Sequence, residues 1–218
     1  MLCTMLVGLS VSMSSCSSPT AVLNVYNWGQ YISDGSEESL DVNAAFEEWY
    51  EETYGVKVKV NYSTYASNED MYAKLTNSAV AYDIVIPSDY MIQKMIANNM
   101  LLEIDTSKLS NYGNIDDAFK GLSYDPTNKY SVPYNVGMVG VIYNSAAIEG
   151  EPDSWSLMWD ENYKGKILNF NNSRDAFATA QFYNGLDINS TDKAIWDKAF
   201  DLLAEQKEIL QSYVMDEV

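Results

Sequence analysis

Hydrophobic and polar positions along the chain change period several times, and each change marks an element. In residues 23–32, LNVYNWGQYI, apolar and polar side chains alternate from Leu23 through Val25, which predicts a strand. Val42, Ala45, Phe46, Trp49 and Thr53 then recur at helical spacing. Glu47, Glu48, Glu51 and Glu52 take the wet side, and Gly55 stands where a helix ends. Residues 56–62 alternate strictly, placing Val56, Val58, Val60 and Tyr62 on one face of a second strand. Strand, helix and strand of this length make a βαβ unit with a right-handed crossover. Ser67-Asn68-Glu69-Asp70 predicts a helix start, with Asn68 as cap, running to about Ser78. Residues 82–86, YDIVI, form a short apolar run of the kind found in a central, parallel strand. A helix carrying Met91, Ile92, Met95 and Ile96 follows.

Residues 101–104 predict another short strand, and residues 105–130 are turn-rich. The chain is extended ahead of Pro133, because a residue before proline avoids the helical region. Residues 135–144, NVGMVGVIYN, predict a glycine-containing strand in which Val136, Val139 and Val141 begin a second core. Residues 130–140 thus read as a crossing between lobes. Beyond it come a short capped helix at 154–159 and a strand at 166–170. A helix through Phe177, Ala180, Gln181 and Gly185 follows, then a helix at 192–207 and a strand at 209–214. The pattern predicts an α/β protein of two lobes, residues 23–133 and 134–218.

Ligands of open α/β sheets bind just past the carboxyl ends of the strands. Three strand ends here carry suitable chemistry. Trp28 and Tyr31 flank Gly29 and Gln30 after the first strand. Ser88 and Tyr90 follow the 82–86 strand, and Asn172 and Asp175 follow the 166–170 strand. The plainer roles are core filling for the two rings, helix capping for Ser88, and capping or dipole compensation for Asp175.

Charge and composition narrow the chemistry. The net charge of −18, from 31 acidic and 13 basic residues, argues against a nucleic-acid partner. The chain has no histidine, which removes the commonest general base and metal ligand. Its two cysteines, Cys3 and Cys16, leave the body without a thiol nucleophile or a cysteine metal site. No glycine-rich phosphate loop is present, so neither a metal nor a cofactor is expected. A carboxylate-pair hydrolase is the enzymatic alternative, but with this many acids some pair is always available.

Residues 1–18 read as a targeting segment. The run from Leu2 to Met13 has the length of a secretory apolar region and is too short to span a bilayer. Met13-Ser14-Ser15-Cys16 resembles a bacterial lipoprotein cleavage site, in which Cys16 would carry the lipid; a Cys3–Cys16 disulfide is the alternative. No Lys or Arg precedes the run, so the start is expected to lie upstream. Residues 1–22 are thus leader and tether.

Five stretches in register, YNWGQYI, YSTYASNEDMYAKL, AYDIVIPSDYMIQKM, YSVPYNVGMVGVIYN and NNSRDAF, resemble the bacterial spermidine/putrescine-binding proteins, the extracytoplasmic receptors of polyamine ABC importers. The resemblance covers about residues 23–218. It implies a two-lobe periplasmic-binding-protein-like fold with a hinge and a polyamine in the interlobe cleft. It also implies a monomeric receptor docking on a membrane permease, in the periplasm or lipid-anchored outside the cell membrane. By matching positions it implies ligand contacts from Trp28, Gly29, Gln30, Tyr31, Ser88, Tyr90, Asn172 and Asp175. Gln30 and Asn172 stand where relatives carry carboxylates, which leaves room for another cationic or amphipathic solute. Family members continue past the region matching Val218, so the C-terminal part is expected to be missing here and about half of a site present.

Overall fold

A computed structural model describes residues 20–29, 31–77 and 80–215. Internal contacts divide the chain into two compact units, one ending at Pro133 and the other starting at Tyr134.

The first unit is built on a parallel three-stranded sheet of order β2-β1-β3, made of β1 (Ala21–Trp28), β2 (Val58–Tyr65) and β3 (Ile84–Val85). β1 pairs with β2 from Ala21↔Val58 to Trp28↔Tyr65, so the two strands end level with each other. The connection between them is α1 (Val42–Tyr54), which starts where the Asp41 carboxylate accepts the Ala44 N–H. It stops at Gly55, whose left-handed backbone (φ 66°) suits glycine best. Glu47, expected on the wet side of α1, turns instead toward β2. Its carboxylate accepts the Val60 N–H at 2.7 Å and pairs with Lys59 at 3.1 Å. Trp49, on the expected apolar face, is about half exposed (51%).

α2 (Asn68–Asn77) and α3 (Asp89–Ala97) supply the core of this unit. Met71, Met91 and Met95 are buried against Tyr26 and Tyr65. Unbranched thioether side chains suit the irregular space between such rings. Tyr26 meets Tyr65 edge-on at 4.9 Å and stacks on Tyr82 at 4.5 Å.

Several expectations need correction. The cap of α2 is Ser67, whose hydroxyl accepts the Asp70 N–H; Asn68 is the first helical residue and is fully buried. β3 is parallel, as expected, but stands outside β1 in the order of the described sheet, with β1 central. Only two of its residues are paired, and Ile84 is partly exposed. Residues 101–104 form no strand; their backbone tie is Ile104 N–H to the Lys129 carbonyl. Residues 135–144 also form no strand. A strand needs a neighbour to receive its ladder, and none of the described strands pairs with this run. Val136, Met138, Val139 and Ile142 are exposed, so they do not begin the second core.

That core lies further on in the second unit. β4 (Ile167–Phe170) pairs in parallel with β5 (Leu210–Val214), and α4 (Ser173–Tyr183) packs on α5 (Lys193–Lys207). Ala180 and Ala199 are fully buried where the helices meet, beside Leu203 and Phe177. Small side chains there permit close helix approach. α4 ends at Tyr183, before Gly185. The capped helix at Trp155–Trp159 is 3-10, and its Trp159 indole donates to the Leu202 carbonyl at 3.0 Å. Among the described residues, no helix is long and apolar enough to cross a membrane.

Candidate functional site

Because β1, β2 and β3 are parallel, their C-terminal ends open on one edge of the first unit. Trp28 ends β1, Tyr65 ends β2, and Ser88 and Tyr90 follow β3. The edge therefore gathers rings and hydroxyls from segments far apart in sequence.

Trp28 is partly buried. Its ring centroid lies 6.1 Å from that of Tyr31 and 4.7 Å from that of Tyr65. Its N–H donates to the side chain of Asn27, a buried residue, at 2.8 Å. Tyr31 is 39% exposed, so this ring presents a face to solvent. Tyr65 ties β2 to the end of β3: its hydroxyl donates to the Ile86 carbonyl at 2.5 Å. Burial pushes the Tyr65 phenol far above its ordinary range, with the phenols of Tyr31, Tyr26, Tyr62 and Tyr90 adding to the shift. The group stays neutral throughout physiological pH. Gly29 has no left-handed backbone, and a Cβ there would meet nothing. Gln30 and Cys16 lie outside the described residues.

Ser88 occupies the N-cap position of α3 but makes no capping bond through its side chain. It is held by Asn68 instead. The Asn68 amide donates to the Ser88 hydroxyl and to the Tyr90 hydroxyl, both at 3.0 Å, and its carbonyl accepts the Ser88 N–H at 3.0 Å. The Tyr90 hydroxyl donates in turn to the Glu69 carboxylate at 3.1 Å. Asn68 is completely buried, so its own three bonds are partly shielded from water, whereas the Tyr90–Glu69 bond is exposed. Tyr65, Asn68 and Glu69 were missed as site residues by sequence reasoning. Tyr65 had a usable signal, since β2 ends on the same edge as Trp28. Asn68 and Glu69 had none beyond a polar helix start.

In the second unit, β4 runs through Asn171 into α4. The Asn172 side chain accepts from the N–H groups of Arg174 (3.0 Å) and Asp175 (3.5 Å), so Asn172 is the cap of α4. Asp175 is the acid of the first turn, partly buried and favourably placed against the helix dipole. Behind this end lies a buried amide network. Asn169 donates to Gln206 at 2.7 Å and to Thr179 at 3.3 Å, and Gln206 donates to the Met158 carbonyl at 3.0 Å. Among the described residues no cluster of His, Cys, Asp or Glu could hold a metal ion.

In the first unit, rings and hydroxyls thus stand together at the ends of parallel strands. The comparisons with known proteins are specific. The chain belongs to the bacterial extracellular solute-binding protein family, whose model matches residues 44–215. It is 37% identical over 198 residues to the spermidine/putrescine-binding periplasmic protein of Salmonella typhimurium, covering 89% of this chain and 53% of that protein. The Escherichia coli protein of the same name is 36% identical over the same shares. Among solved structures, a putative spermidine/putrescine ABC transporter protein from Listeria monocytogenes superposes with a TM-score of 0.77 at 34% identity, over 90% of this chain and 58% of that one. The Tp0655 lipoprotein of Treponema pallidum gives 0.75 at 29% identity, over 89% and 58%. These likenesses assign the periplasmic-binding-protein fold. The chain spans about half the length of the curated relatives it matches.

Proposed function

We propose that this chain is part of an extracytoplasmic receptor for polyamines of the spermidine/putrescine class, delivering them to an ABC permease. The observation that carries the reading is the joint placement of Trp28, Tyr31, Ser88 and Tyr90 on one edge of a parallel sheet. A polyamine is a methylene chain punctuated by ammonium groups. Ring faces give the methylenes apolar contact and the ammoniums cation–π attraction of roughly 0.5–2 kcal/mol each. Hydroxyl oxygens and the Asp175 carboxylate accept ammonium N–H groups, the latter as a stronger charge-assisted bond. Names of relatives at 36–37% identity support the same substrate class.

In this reading ligand binding shifts the receptor's population toward the form that docks on the permease. Cys16 is the lipid-bearing residue, so Cys16→Ser releases the protein from membranes; unchanged membrane retention argues against the anchor. The test of function is calorimetric titration of the protein with spermidine and putrescine at low salt. Heat that saturates with either supports the reading, and its absence with both removes it. A second reading, another cationic or amphipathic solute, is favoured by the absence of charge on Gln30 and Asn172. A panel of diamines, triamines and monoamines in the same titration separates the two.

A further inference from the structure

The geometry points to Glu69 as a specificity-determining residue of the polyamine half-site: its carboxylate, acting through the Tyr90 hydroxyl, makes a neutral pair of oxygens into an ammonium acceptor. This rests on the polyamine reading and adds to it a residue outside the eight contacts implied by resemblance. The first unit presents an apparent mismatch, since Trp28, Tyr31, Ser88 and Tyr90 are all uncharged and yet stand where a cation is to be held. Glu69 resolves it. The Tyr90 O–H donates to Glu69 Oε1 at 3.1 Å, so the hydrogen of that phenol is directed away from any incoming ligand. The phenol oxygen, polarised by the carboxylate, presents lone-pair density. Asn68, by donating to both Ser88 Oγ and the Tyr90 oxygen at 3.0 Å, holds the two hydroxyls through one buried amide. An ammonium N–H meeting Tyr90 then completes a chain from ammonium to phenol to carboxylate, in which each hydrogen bond strengthens the next. Glu69 lies in the first turn of α2, where a carboxylate is favourably placed against the helix dipole. It is exposed, so its charge carries little desolvation penalty. Tyr90 is the intermediary, and Glu69 acts as a positioning and charging residue behind it.

The experiment is calorimetric titration with spermidine of the protein and its Glu69→Gln, Tyr90→Phe and doubly substituted forms, each checked for an unchanged far-UV spectrum and melting temperature. Glu69→Gln keeps an acceptor for the phenol and removes the charge. It is expected to weaken binding about five- to tenfold, the difference between a charge-assisted and a neutral hydrogen bond. In the Tyr90→Phe background the same change is expected to cost less than about twofold, because the relay is already cut. Equal affinity of the Glu69→Gln and unsubstituted proteins overturns the proposal while leaving the polyamine reading intact. An undiminished Glu69 effect in the Tyr90→Phe background also overturns it, since the carboxylate then acts without the phenol. Absence of spermidine binding by the unsubstituted protein overturns both.

Discussion

Replacing Asn68 by alanine should loosen the loop after β3 more than any single change at the surface of the site. Three bonds are lost at once: the donations to Ser88 Oγ and Tyr90 Oη, and the acceptance of the Ser88 N–H, each 3.0 Å long. A net contribution of about 0.5–1.5 kcal/mol per bond, with the Ser88 N–H left short of a partner, gives a local cost of about 2–4 kcal/mol. The local measurement is amide hydrogen exchange, which reads opening free energy residue by residue. At about 1.4 kcal/mol per tenfold, Ser88 N–H protection should fall by about 30-fold or more. The amides of Met91 and Ile92, which bond back to the Ser88 carbonyl, should follow in part. In the second unit, Ala180 and Ala199 should exchange as before. A fall of less than about threefold at Ser88 would refute the assignment of Asn68 as the buried hub, because water or backbone movement would then be replacing all three bonds.

Further outcomes follow from other contacts. Tyr65→Phe removes the 2.5 Å bond to the Ile86 carbonyl and should lower stability by about 0.5–1.5 kcal/mol in urea denaturation, with a shift in midpoint and not in slope. Glu47 has its pKa lowered by the Val60 N–H first and Lys59 second, from an ordinary value of 4.5. Its contribution to stability is therefore complete above pH 4.5 and lost as pH falls through the lower folded value; melting curves of Glu47→Gln and the unsubstituted protein should converge on acidification. Asn169→Ala strands the buried Gln206 carbonyl and should cost about 1–3 kcal/mol, with unit-two amides losing protection and those of β1 keeping it. Trp28→Leu should weaken spermidine binding about two- to thirtyfold, the worth of one cation–π contact, as read by titration.

Residue patterns revealed the elements that are periodic and paired within the described chain. α1, α3, α4 and α5 declare themselves through spacing and caps, and β1, β2, β4 and β5 through alternation or short apolar runs. The rule that parallel strands open on one edge brought Trp28 and Tyr31 together with Ser88 and Tyr90 before any coordinates. Elements defined by a partner were not legible. Residues 135–144 have the composition of a strand, yet a strand is a relation between two segments and no described strand supplies the other half. Asn68 was readable only as a helix start, because nothing local distinguishes an asparagine that caps from one that reaches twenty residues ahead to Ser88. Glu47 shows the same limit. Helical periodicity places it on the polar side, but the nearby Val60 N–H draws its carboxylate in.

The two units meet one problem with one device, and this explains why both candidate half-sites stand where they do. A parallel strand that stops at the carboxyl edge of its sheet leaves its last N–H groups without a ladder partner. In β1 the Asn27 side chain accepts the N–H of Trp28 at 2.8 Å, and in β4 the Asn169 side chain accepts the N–H of Phe170 at 2.8 Å. Both asparagines are buried, at 2% and 3% exposure, so neither can rely on water. Each fixes the aromatic residue that follows it at the strand's last position. From there the chain turns into the segment bearing the polar residues: Tyr31 in one unit, Asn172 and Asp175 in the other. A buried asparagine that satisfies its successor's N–H frees the strand end from the ladder and aims the next ring. Replacing Asn27 by leucine should accordingly disturb the Trp28–Tyr31 pair while sparing the Met71–Met91–Met95 core. The readout is a change in Trp28 fluorescence without loss of the far-UV helical signal. An unchanged Trp28 environment would show that ring packing against Tyr65 alone sets its position.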